Sequence, residues 1–114
     1  MKQASKTKVK LVIPPGVWVN GKLWEVSLVQ DLYKDDEEFG NCRYHKLLIE
    51  IDQDQSEQHA RDTLWHEILH GIERELDLKI TEKQVRQIAS MQVAVMRDNA
   101  DLMTYLLAPT AGEG

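Results

Sequence analysis

The hydrophobic period of this chain changes once, at Asp54, and that change limits the fold more than any other feature. Up to Asp52 apolar residues alternate with polar ones, as on a strand with one buried face. From Asp54 onward they recur at the 3.6-residue helical period. Val9 to Val29 reads as strand-like, with Asn20-Gly21 as the hairpin turn, since both turn positions require positive φ. Within Lys22 to Val29, Trp24, Val26 and Leu28 share the core face, and Leu23, Glu25, Ser27 and Val29 share the other. Asp31 to Gly40 is an acidic loop. A second strand pair follows, Asn41–Tyr44 and Leu47–Ile51, with His45-Lys46 at the turn. The expected class is α+β: a small, mainly antiparallel sheet over residues 9–52 packed on two or three helices.

The helices announce themselves by their caps. Asp54 with Glu57, or Ser56 in competition with it, starts a first helix over 56–76. Its apolar positions are Leu64, Trp65, Ile68, Leu69, Ile72 and Leu76. Thr81 with Gln84 is a capping-box pair for a second helix over 81–98. Its inner stripe reads as Val85, Ile88, Ala89, Val93 and Met96. Asn99 ends it and caps a short third helix, Asp101–Leu107. At 114 residues this is one domain, 9–107, between a flexible start (1–8) and a flexible tail (108–114).

Composition removes several classes of function. The formal net charge is −5, so the chain lacks the overall electrostatic footprint of a nucleic-acid binder. Its basic cluster is confined to Lys2, Lys6, Lys8 and Lys10. A single cysteine, Cys42, excludes an intrachain disulfide and the multi-cysteine zinc knuckles, and fits a reducing cytoplasm. The longest uncharged apolar run, Leu11–Val19, is too short to span a bilayer and is broken by Pro14, Pro15 and Gly16. No secretion signal is recognisable at the N-terminus.

The chemistry is carried by His66-Glu67-Ile68-Leu69-His70, an H-E-x-x-H sequence inside the first helix. Residues i and i+4 of a helix lie about 40° apart around the axis and roughly 6 Å apart along it. Two imidazoles at that spacing converge on one cation. Glu67, rotated by about 100° from His66, is placed to act as general base and not as a ligand. On the helical wheel the two histidines border the apolar stripe instead of lying within it.

Zinc needs a third protein ligand and an open fourth position. The third-histidine extension of the motif is absent, and His45 and His59 are poorly placed. Glu73 shares the histidine sector, but three ligands along one straight helix cannot close a tetrahedron. Glu82, in the first turn of the second helix, is the leading carboxylate. The competing reading is that it only favours the positive end of the helix dipole. Asp98 and Asp101 are more remote candidates.

The segment Thr63-Leu64-Trp65-His66-Glu67-Ile68-Leu69-His70-Gly71-Ile72 resembles the motif region of small phage- and prophage-encoded zincin-like metallopeptidases, relatives of the ImmA/IrrE group. Supporting matches follow in order: the hairpin at Asn20-Gly21, Gly40–Tyr44, Ile49–Asp52, Thr81–Val85, Ile88-Ala89 and Arg97–Asn99. Together they span residues 17–107. The resemblance implies a zincin-like minimal domain and a zinc-dependent metallopeptidase acting on a peptide or protein, such as a regulator or repressor, inside a bacterial cell. It also exposes a departure. In that helix pattern a glutamate often stands four residues after the first one, and here the position is Arg86. The alternative is therefore a catalytically inactive zincin-fold module that contacts a partner protein.

Other features carry blander expectations. Cys42 and His45 read as a small buried side chain and a turn residue. Trp18, Trp24 and Trp65 read as core, and so do Met91 and Met96. Asp35–Glu38 reads as a solvated loop and not a calcium site.

Overall fold

A computed structural model describes residues 11–32 and 38–110. The chain is α+β. Four strands, β1 (Gly16–Val19), β2 (Lys22–Val29), β3 (Gly40–Arg43) and β4 (Leu48–Asp52), precede three helices, α1 (Glu57–Leu76), α2 (Glu82–Asp98) and α3 (Ala100–Leu107). The sheet order is β1-β2-β4-β3. β1/β2 and β3/β4 pair antiparallel, while the two central strands, β2 and β4, run parallel.

Each hairpin turn follows from its residues. Asn20 and Gly21 have φ of 51° and 78°, the conformation that lets Val19 pair with Lys22 across a two-residue turn. The β3–β4 turn has no glycine. A single 3-10 turn, Tyr44–Lys46, fills it, and Leu47 takes the left-handed conformation at φ 50°. The acidic residues Asp35–Glu37, and the terminal segments 1–8 and 111–114 expected to be flexible, lie wholly outside the described residues.

Alternation places one row of side chains behind another on the inner face. Val26, Ile49 and Cys42 are in register across three strands, as are Leu28, Ile51 and Gly40. Trp24, Ile49 and Ile51 are fully buried against Ala60 and the half-buried Leu64, Ile68 and Ile72 of α1. Gly40 allows the edge strand to descend onto α1. A Cβ there would lie 2.6 Å from the Thr63 Cγ2 and 3.3 Å from the Glu67 Cγ. α2 packs on the other flank of α1, where Val85 and Ala89 bury Leu69. Ser56 is the cap that α1 uses, its hydroxyl accepting from the His59 N–H at 3.1 Å. The Thr81–Gln84 capping box forms in both directions.

Several expectations are corrected. β1 begins at Gly16, and residues 11–15 are not strand, as two prolines there deny the ladder its donors. Trp18 is 70% exposed. It pairs with Leu23 on the outer face, because alternation gives the inner face to Val17 and Val19. Ile88 is 40% exposed and Met91 66%, so neither belongs to the core. Leu76 is exposed, because Glu75 is the residue that meets the sheet in the last turn of α1. Asn99 separates α2 from α3 but makes no side-chain cap to α3. Its amide donates back to the Val95 carbonyl at 2.8 Å. No helix among the described residues is long and apolar enough to cross a membrane.

Candidate metal centre

α1 forms the floor of a cleft of about 700 Å³, with β3 and α2 as its walls. His66 and His70 rise from the floor with side chains 18% and 24% exposed. Their Nε2 atoms face each other at 3.2 Å. Glu82 reaches down from the first turn of α2. One carboxylate oxygen lies 2.8 Å from the His70 Nε2 and the other 3.0 Å from the His66 Nε2. The packing of Val85 onto Leu69 delivers Glu82 to this position, since residues three apart lie near one another around a helix.

This donor set fits zinc. One ligand atom from each of His66, His70 and Glu82 lies within 4.8 Å of the others. Ligand atoms held at zinc–nitrogen and zinc–oxygen distances around a tetrahedral centre stand about 3.3 Å apart. The contacts of 2.8–3.2 Å are nearly those edges, and need only slight spreading to accept an ion. Two facing imidazole nitrogens with a carboxylate between them are also a chemical match for a borderline cation. Burial lowers the pKa of His66 below its ordinary value, ahead of the opposing pull of Glu82. That shift favours the neutral form a ligand requires.

Two further carboxylates have separate roles. Glu73 lies 3.1 Å from the Nδ1 of His70. With Nδ1 carrying the proton, Nε2 presents its lone pair to the centre, the arrangement by which an outer carboxylate orients a histidine ligand. The sequence reading discarded Glu73 as a ligand and missed this role. Its signal was the i, i+3 spacing from His70. Glu67 is 6% exposed, beneath Gly40. Burial pushes its carboxyl up to about 7, with Glu82 and Glu38 raising it further against His70. A carboxyl near neutrality can both take and return a proton at physiological pH.

The remaining residues sort clearly. Arg86 stands one turn after Glu82, its guanidinium 3.6 Å from the nearer carboxylate oxygen. Asp98 and Asp101 do not line the cleft. His59 lines its outer rim against Phe39, with ring centroids 4.4 Å apart, while His45 lies in the exposed 3-10 turn. Cys42 packs against the core and lines the cleft wall, and burial pushes its thiol up to about 11, which leaves it a neutral side chain. Comparison with protein-family models, with curated proteins and with solved structures finds no match.

Proposed function

We propose that this chain is a zinc-dependent metallopeptidase of the zincin-like kind, related to the ImmA/IrrE group and of phage or prophage type. Its place of action would be the bacterial cytoplasm and its substrate a peptide or protein, such as a regulator or repressor. One observation carries the reading: two histidine nitrogens and a carboxylate converge in a cleft that also holds a buried glutamate poised near neutrality. His66, His70 and Glu82 are the residues that would hold the metal. Zinc, when bound, supplies Lewis-acid polarisation of a carbonyl oxygen and acidifies a water.

The rest is work for the protein's own groups. Glu67 takes a proton from the attacking water and passes it to the leaving amine nitrogen. Glu73 holds His70 in one tautomer. β3 is an edge strand of the sheet and lines the cleft, so an extended peptide paired along it would lie across Glu67 and the histidines. The net charge of −5 gives no reason to expect a nucleic-acid substrate.

The second reading is a binding module without catalysis. It is favoured by Arg86, whose guanidinium competes for the same Glu82 carboxylate. Incubation of the zinc-loaded chain with unfolded protein substrates separates the two. Glu67→Gln should retain zinc and lose roughly 10²–10⁴-fold in cleavage rate. Equal cleavage by the variant contradicts the mechanism. Zinc binding without cleavage by the unaltered chain favours the binding module.

A further inference from the structure

The two walls of the cleft differ in charge. β3 offers it Gly40, Asn41 and Cys42, none of them charged. α2 offers Glu82, Arg86, Ala89 and Ser90, which share one face because residues three and four apart are neighbours on a helix. Selection of a peptide by charge therefore falls to α2 and to the floor. Most charged groups there are already answered. Asp62 accepts from Arg97 at 3.1 Å. Glu73 lies beside the His70 Nδ1, and the two Glu82 oxygens face the imidazoles. Of the two arginines lining the cleft, Arg74 has its guanidinium over the Tyr44 ring, 4.8 Å from the centroid.

Arg86 is the exception. The Glu82 oxygen nearest to its Nη2 stands 3.6 Å away, beyond hydrogen-bonding range. The Arg86 side chain is 64% exposed and carries a planar fork of N–H donors that fits both oxygens of one carboxylate. Glu82 does not fill that fork, because its two oxygens are turned to His66 and His70. We propose, resting on the metallopeptidase reading of this cleft, that Arg86 selects the substrate by binding a carboxylate of the peptide, either an Asp or Glu side chain or the C-terminal group. With Glu82 committed to a metal, the guanidinium is left without an anion of its own. Arg86 stands one turn along α2 from Glu82, so the carboxylate it holds belongs to a residue near the bond presented to Glu67. Ser90, one turn further and exposed, adds a hydroxyl to the same wall.

Isothermal titration of the zinc-loaded full chain carrying Glu67→Gln, which should hold a peptide without consuming it, tests this. The probes are short, N-acetylated, alanine-based peptides. One has a central Glu and an amidated end, one is otherwise uncharged with a free C-terminal carboxylate, one has a central Lys and an amidated end, and one carries no charge. One or both of the first two should bind about tenfold tighter than the uncharged peptide, and which of them does so tells a side-chain carboxylate from a chain end. Adding Arg86→Gln should bring that ratio close to one. Arg86→Lys, which keeps the charge and loses the fork, should restore part of it. Both substitutions fall at an exposed position and should leave the thermal melt and the zinc content unchanged. Equal binding of all four peptides, tightest binding of the Lys peptide, or no binding at all overturns the proposal. So does a preference for the carboxylate that survives Arg86→Gln. Zinc content, measured on the same samples beforehand, reads the metallopeptidase assignment separately, and the peptide ratios decide the proposal with or without the metal.

Discussion

Glu75 and Glu82 each gather three side chains, and they acquire opposite characters. Glu75, at the end of α1, accepts from Lys22 Nζ at 2.7 Å, Tyr44 Oη at 2.8 Å and Asn20 Nδ2 at 2.9 Å. Its side chain is only 9% exposed. The bond from Lys22, then those from Asn20 and Tyr44, hold its carboxyl down at about 2. All three partners face the carboxylate as N–H or O–H donors, so this contact is closed, a clasp between the helix end, the first hairpin turn and the turn after β3. Glu82 is 55% exposed and faces two imidazoles and Arg86. Imidazoles can exchange a proton for a lone pair. The number of partners does not separate a clasp from a candidate metal site. What separates them is whether the facing nitrogens can turn from donors into ligands.

The largest expected effect breaks one side of this comparison only. His66→Ala or Glu82→Ala should weaken zinc binding by more than the roughly 10–100-fold that an outer carboxylate is worth. Glu75→Gln should leave it unchanged, and isothermal titration with zinc reads both. Next comes Glu73→Gln, which keeps all three proposed ligands but removes the carboxylate beside the His70 Nδ1. It should weaken zinc binding by about 10–100-fold, with little change in the thermal melt of the metal-free chain.

The clasp has its own signature in pH. Glu75 is held below its ordinary value of 4.5, so its contribution is complete above that pH. It is lost as pH falls through about 2. Melting temperatures over this window should fall more steeply for the unaltered chain than for Glu75→Gln. Parallel curves would show that the clasp carries no stability. The smallest effect is at Gly71, between the two sites on α1. A Cβ there meets the Trp24 ring at 3.5 Å, an ordinary contact. Gly71→Ala should raise stability by about 0.5–1 kcal/mol through helix propensity alone, read from the urea midpoint, without disturbing zinc uptake.

What was legible in the sequence was whatever is local. The Asn20-Gly21 turn, the Thr81–Gln84 box and the i, i+4 histidines each depend on residues within one turn of chain, and the change of period at Asp54 on the consecutive residues to either side of it. Glu82 could be named because only a second element could supply the third ligand, but its reach to both imidazoles comes from how α2 packs. Side-chain chemistry that joins distant segments was not legible. The partners of Glu75 lie 31 to 55 residues away, and the need for Gly40 appears only once β3 is seen to rest on Thr63 and Glu67. Trp18 and Ile88 were misplaced for a related reason. Apolarity says that a side chain gains from being covered, and leaves open which element covers it.

The metal content of the purified chain, dialysed against metal-free buffer after exposure to zinc, tests the central claim most directly. About one zinc per chain, falling to none in Glu82→Ala, is the predicted result. A chain that takes up no zinc, with His66, His70 and Glu82 all intact, would contradict the account.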